Sequence, residues 1–470
     1  MKKNSLYIIV CLLMLAFANR VSAQYNNSDS AYKKPLKEVL GDIERKFGVK
    51  IKFSEPQVAG KWVVYADWRY RPTLEATLDN ILKPLELKVK KDGEKVYKLS
   101  DYEYYRWPVE EGWAELDRIA AQYHNLEEWQ ARKASLQPCL LEALQLSPLP
   151  AAPKSKPIIT PERKYDGYTV RNIAIEILPG VYINGSLYKP ASYKGKIPVI
   201  LNPDGHWGQQ RFRADCQYRC AAMARMGAMA FSYDLFAWGE SALQFDSKDH
   251  RKSLAMSIQA LGSIRILDYL LSLKDADTSR VGITGGSGAG SHTVLVTAID
   301  DRIKVSAPVV AISSYFYGGC PCESGMPIHA CGNRTDNVEI AAMAAPRPQL
   351  LVSDGKDWTD KTPEHDFPYL QKVYGYFGAT NKVENVHLPE EGHDFGINKR
   401  TAVYDFMIKY LGLNGKAIRD ANGKIDESKI TIEKEPAMYV FGEKGEKLPA
   451  NAIHGFARLE QLWNNSRQTK

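Results

Sequence analysis

Past its first 18 residues the sequence has no apolar run approaching the roughly 20 residues that a membrane-crossing helix needs, so no membrane span is expected. None of its glycine-rich turns ends in Gly-Lys-Ser or Gly-Lys-Thr, which excludes a phosphate-cradling P-loop. No segment repeats at a fixed spacing, which removes a bladed propeller. Nor is there a large charge of one sign. The chain carries 62 Lys and Arg against 55 Asp and Glu, and Lys2, Lys3 and Arg20 all lie in its first 23 positions. So close a balance carries no nucleic-acid footprint, and no such partner is expected. Cysteine is scarce, with seven in 470 residues.

What is present begins with Lys2 and Lys3 ahead of an apolar run from Leu6 to Ala18, then the small residues Val21-Ser22-Ala23. That is the order of a secretory signal peptide, with cleavage expected after Ala23 and a periplasmic or secreted product. Cys11 lies inside the run rather than at its end, which argues against a lipid-anchored cysteine. The other six cysteines, Cys139, Cys216, Cys220, Cys320, Cys322 and Cys331, then meet an oxidising compartment. Disulfides are expected there, above all within or onto GGCPCESGMPIHAC. A zinc site of Cys320, Cys322, Cys331 and His329 is the sharper alternative, but its spacing matches no familiar zinc module.

From residue 24 to 105 the pattern is that of a small α+β domain. Leu36, Leu40, Ile43 and Phe47 fall at helical spacing, and Val49, Ile51 and Phe53 alternate as a strand. Trp62 to Tyr65 reads as a second strand, Leu74, Leu78, Ile81 and Leu82 as a helix face, and Leu87 to Leu99 as a hairpin turned at Asp92-Gly93. The stretches PLKEVLGDIERKFGVKIKF and TLEATLDNILKPLELKVKKDGEKVYKL resemble the short N-terminal domain of secretins and TonB-dependent receptors. Nothing in the residues names its partner. Residues 106–160 read as a helical segment followed by SPLPAAPKSKPIITP, a proline-dense linker expected to mark the domain boundary. Strands and helices then alternate from 161 to 415, which implies a mainly parallel sheet covered on both faces, with its active site at the carboxyl ends of the strands. Residues 416–470 form a C-terminal extension.

The chemistry gathers around RVGITGGSGAGSHTVLVT, residues 280–297, which reads as a β-branched strand, a glycine-rich turn with Ser287 at its tip, and an apolar helix. That is the layout of a nucleophile elbow, with Gly285 in one of its two small positions and Ala289 in place of glycine in the other. A serine hydroxyl needs a base, and the base needs an orienting acid. His393, in EEGHDFG after the last expected strand, is the base. Asp357, beyond the strand Leu350-Leu351-Val352-Ser353, is the favoured acid, with Asp360 its competitor and Glu240 an outside candidate. The oxyanion needs two backbone N–H donors: Gly288, and His206 or Trp207 in the turn NPDGHWG. Arg211, Arg213 and Arg219 in RFRADCQYRCAAMAR are candidates for binding carboxylates of the substrate, or else a solvated helix face. Trp238 and Trp358 are candidates for stacking on sugar rings.

The segments NPDGHWG, FAWGES, GITGGSGAGSHT, IKVSAPVV, GGCPCES, APRPQLLVSDGKDW and EEGHDFG resemble, in this order, an α/β-hydrolase group built around acetyl xylan esterases, over residues 126–413. Chains of that group with an added small N-terminal domain resemble exported gut-bacterial carbohydrate esterases that remove methyl esters from complex pectin of the rhamnogalacturonan type. The resemblance implies an α/β-hydrolase fold and a serine carbohydrate esterase acting on a polysaccharide or oligosaccharide, with no metal or organic cofactor in its chemistry. Pectin methyl ester is the favoured substrate and an acetyl ester the alternative. A serine peptidase and a catalytically silent glycan-binding protein are the readings from other classes.

Overall fold

A computed structural model describes residues 32–101, 106–320, 322, 323, 325 and 327–468. The expected signal peptide lies outside them. The chain divides into two compact units, residues 1–104 and 105–470.

In the first unit, the helix Leu36–Phe47 buries Leu36, Val39, Leu40 and Ile43 along one face and closes on Gly48, whose φ of 65° suits a residue without a Cβ. Strand β1 (Lys33–Pro35) pairs with β3 (Trp62–Val64), and β2 (Lys50–Lys52), β5 (Val96–Asp101) and β4 (Leu87–Lys91) form a three-stranded sheet in that order. The helix Leu74–Leu82 is capped by Thr73, whose side chain accepts the Ala76 N–H. Its buried Leu74, Leu78, Ile81 and Leu82 complete a core of their own with Ile51, Leu87 and Leu99.

The second unit is built on a ten-stranded sheet of β6 (Ile158–Ile159), β7 (Arg163–Tyr165), β8 (Tyr168–Leu178), β9 (Val181–Pro190), β10 (Ile197–Pro203), β11 (Met229–Tyr233), β12 (Ala276–Gly286), β13 (Val305–Val309), β14 (Gln349–Asp354) and β15 (Val383–Leu388). Its order is β15-β14-β13-β12-β10-β11-β9-β8-β6, with β7 also on β8. The strands from β15 to β11 are parallel, and those beyond them antiparallel. Alternate residues of each strand feed two separate cores, Val199, Leu201 and Leu351 on one face and Ile200, Leu350 and Val352 on the other. The helices Ala255–Ser272 and Gly288–Ile299 supply the first core, and Ala214–Arg225 and Ile397–Leu411 the second. This is the α/β-hydrolase fold. The winding reverses at β10, which lies between β11 and β12, and sheets of this kind take their ligands at the carboxyl ends of the strands flanking such a reversal.

The proline-dense stretch does not separate two units. The helices before it, Val109–Ala120 and Leu126–Ala143, bury Leu116, Ile119, Trp129, Leu136 and Leu140 in the same core as β10 and β12. Arg132 donates to both carboxylate oxygens of Glu339, each at 2.8 Å, and Cys139 is disulfide-bonded to Cys331 across 192 residues. The C-terminal extension is likewise part of this unit. Leu459 and Trp463 of the helix Phe456–Gln468 enter the first core, while Val440 and Phe441 pack against Ala174 and Tyr182. Among the described residues no helix is long and apolar enough to cross a membrane.

Candidate active site

Ser287 stands between β12 and the helix Gly288–Ile299 at φ 58°, ψ −129°. A non-glycine residue in the left-handed region costs about 1–3 kcal/mol, and the surroundings hold it there: its N–H donates to the Val309 carbonyl at 3.0 Å. The turn closes because its flanks are small. A Cβ on Gly285 would sit 2.6 Å from the Ala289 Cβ, and one on Gly290 would run into Ala311.

His393 follows β15, and its Nε2 lies 2.9 Å from Ser287 Oγ. Its Nδ1 lies 2.7 Å from Asp357 Oδ2, beyond the end of β14. The carboxylate can only accept, so Nδ1 carries the proton and Nε2 turns its lone pair on the serine hydroxyl. Burial alone would raise the Asp357 carboxyl, but hydrogen bonds from His393 and from the Thr359 side chain and N–H hold it below the ordinary carboxylate range. The other acids point elsewhere. Asp360 accepts from the Tyr315 hydroxyl at 2.7 Å, and Glu240 accepts the N–H groups of Val440 and Phe441. His292, the imidazole nearest Ser287 in sequence, is buried against Ser263, and burial pulls it down to about 4.

The turn after β10 packs directly on the nucleophile turn. A Cβ on Gly205 would stand 2.5 Å from the Gly286 carbonyl oxygen, and one on Gly288 would run into the His206 ring. Gly288 opens its helix, so its N–H has no partner within that helix and lies at the positive end of the helix dipole. The Trp207 and Trp358 rings lie 5.5 Å and 4.3 Å from the His393 ring. Trp238 meets His206 edge-on at 6.0 Å.

Two of the three arginines are turned into the fold, and the third is partly exposed. Arg211 is fully buried, donating to Asp234, Glu240, Ser186 and the Met438 carbonyl. Arg219 is buried too, bonded to Asn202 and Cys216 and stacked on Phe395. Arg213 is held by Asp204 and Asp215 and lies over the Trp207 ring. Arg211 is thus neutralised within the fold by Asp234 and Glu240, whereas Arg219 keeps one buried guanidinium nitrogen, Nη1, without a hydrogen-bond partner, with Asp215 3.8 Å away.

The alternative zinc quartet does not assemble, and one disulfide onto the Cys-rich stretch does form. Cys331 is in the disulfide, and His329 bonds Asn337 at 2.9 Å. A different set does come together beside Gly288: the ligand atoms of His206, His250, Cys320 and Cys322 all lie within 4.8 Å of one another. His250, on a short helical turn at Ser247–Arg251, belongs to no sequence motif. The Cys322 thiol and the two imidazoles beside it draw the Cys320 thiol down, while burial pushes Cys322 up.

Among solved structures, this chain resembles Methylesterase BT1017 with a TM-score of 0.80 and 47% sequence identity, over 94% of this chain and 99% of that one. It belongs to that protein's family of α/β-hydrolase carbohydrate esterases. A match of that length takes in both units of the chain. Looser likenesses are to a Bacteroides fragilis protein described as an acetyl xylan esterase (TM-score 0.48, 16% identity, 60% of this chain and 82% of that one) and to a glucuronoyl esterase from Solibacter usitatus (0.45, 18%, 60% and 93%). No protein-family model and no curated protein matches the chain.

Proposed function

We propose that this chain is an exported serine esterase that removes methyl esters from a plant cell-wall polysaccharide, with methyl-esterified galacturonate of complex pectin as the favoured substrate. The observation that carries the reading is the hydrogen-bonded chain Ser287–His393–Asp357 in a protein 47% identical to a methylesterase over nearly its whole length. Ser287 Oγ attacks the ester carbonyl carbon while His393 Nε2 takes the hydroxyl proton. Asp357 keeps His393 in the required tautomer and offsets the charge of the imidazolium. The carbonyl oxygen gains a negative charge facing the N–H groups of Gly288 and the His206–Trp207 turn. Collapse breaks the ester C–O bond, and His393 returns its proton to the departing methoxide, which leaves as methanol. Water then attacks the acyl-serine by the same route and frees the carboxylate and Ser287.

The burial of Arg211 and Arg219 removes them as a reason to favour an anionic polymer. Support for a methyl ester comes instead from the named relative. Support for a sugar comes from Trp207 and Trp358 beside His393. The leader pattern of the first 23 residues supports export. The test is methanol and acetate release by the purified chain from methyl-esterified pectin fragments and from acetylated xylan fragments, with Ser287→Ala as control. Methanol that disappears in the variant supports the proposal. Acetate alone replaces it with an acetylesterase, and neither product rejects both.

A further inference from the structure

Three loops meet next to the nucleophile turn, and their side chains converge on a single point. His206 comes from the turn after β10, His250 from the short helical turn Ser247–Arg251, and Cys320 and Cys322 from the segment after β13. His206 Nε2 and His250 Nε2 are 2.7 Å apart, and Cys322 Sγ is 3.2 Å from the first and 3.1 Å from the second. Of the four residues only His206 is not fully buried.

The outer atom of the His250 ring fixes what its inner one presents. His250 Nδ1 lies 2.6 Å from the Phe236 carbonyl oxygen, which can only accept, so Nδ1 bears the proton and Nε2 turns a lone pair inward. His206 Nδ1 faces the buried Glu323 carboxylate at 3.7 Å, beyond hydrogen-bond reach, so that contact attracts the ring without fixing its tautomer. Two inner ring nitrogens 2.7 Å apart need either a proton or a metal cation between them. A ring whose second nitrogen is held by a carbonyl or carboxylate is the usual outer arrangement of a metal-bound histidine.

We propose that His206, His250, Cys320 and Cys322 bind one zinc ion, which fastens these three loops against the active site. Two imidazoles and two thiolates favour a tetrahedral ion of this type over the hard cations that prefer oxygen. Around tetrahedral zinc, with Zn–N of about 2.0–2.1 Å and Zn–S of about 2.3 Å, ligand atoms stand about 3.3–3.8 Å apart, so the imidazole pair needs to open by only about half an ångström. Four protein ligands leave no open position, so the ion holds structure and does not activate water. Its effect reaches the chemistry through His206, whose ring abuts Gly288 and whose backbone lies in the turn opposite the nucleophile. The site is independent of the ester that is hydrolysed.

The test is elemental analysis of the full chain purified without a histidine tag, before and after dialysis against zinc. The expected result is about one zinc ion per chain, kept in Ser287→Ala and lowered about tenfold or more in Cys322→Ser and in His250→Ala. Replacing zinc with cobalt(II) in the wild-type chain should give a thiolate-to-cobalt charge-transfer band, a readout that needs no variant to fold. Zinc below about a tenth of an ion per chain after dialysis, or a wild-type cobalt spectrum without that band, overturns the proposal. So does an unchanged zinc content in folded Cys322→Ser, or a Cys320–Cys322 disulfide in the freshly purified chain by mass spectrometry.

Discussion

Gly285 and Ala289 share the room of one methyl group. The Ala289 Cβ occupies it, and a Cβ on Gly285 would come within 2.6 Å of that atom and 2.8 Å of the Ala289 carbonyl oxygen. The departure from the two-glycine pattern is thus tolerated at the second position because the first keeps its glycine. Gly285→Ala should cost about 1–3 kcal/mol by overpacking. The double variant with Ala289→Gly should recover part of that loss and no more, because the backbone contact remains. Thermal melts of the four proteins of the cycle give the coupling directly, and strict additivity would contradict the shared space.

Asp357→Asn should lower kcat by about 10⁴-fold, the effect of fixing the wrong histidine tautomer. Asp360→Asn should stay within about tenfold of wild type, since Asp360 bonds Tyr315 and not His393. Steady-state kinetics on a small activated ester compares the two.

The same carboxylate has a pH signature. Its pKa is lowered on folding, so its stabilisation is fully present above the unfolded value of about 3.9 and is lost as pH falls through the lower folded value. The melting-temperature gap between wild type and Asp357→Asn should therefore be steady from about pH 7 to 5 and close below about pH 4. A gap that widens in acid would reverse the assigned sign.

Arg211→Met should destabilise the fold by about 3–5 kcal/mol, because Asp234 and Glu240 are left buried without their counter-charge. Denaturant unfolding reads this. A variant of wild-type stability with a raised KM would return Arg211 to substrate binding.

Cys139→Ala should cost about 2–5 kcal/mol by releasing a long loop in the unfolded chain. Alkylation without reduction, followed by peptide mass mapping, should recover the Cys139–Cys331 pair intact.

Ser287, His393 and Asp357 were legible because each follows a strand of recognisable pattern and the fold brings strand ends to one edge of the sheet. The arginines were not. The residues that neutralise Arg211 lie 23 and 29 positions away, and nothing local in RFRADCQYRCAAMAR distinguishes a guanidinium that meets carboxylates inside the fold from one that meets water. The prolines of SPLPAAPKSKPIITP read as a linker at a domain boundary, yet the burial of Trp129 and Leu140 before them and of Ile173 after them in one core decides otherwise. His250 carries no motif because its companions come from two other loops, and only the folded sheet makes them neighbours.

Glu240 accepts the N–H groups of Val440 and Phe441, 200 and 201 residues further on, and Arg211 donates to the Met438 carbonyl. Those partners lie beyond His393 in the chain. The loops around β10 carry a charged cluster whose own ion pairs, Arg211 with Asp234 and Glu240, are completed by this distant backbone. The buried charges around β10 therefore lack these partners until the segment beyond the helix Ile397–Leu411 has packed, which makes that segment part of the support under the loops at the carboxyl end of the sheet.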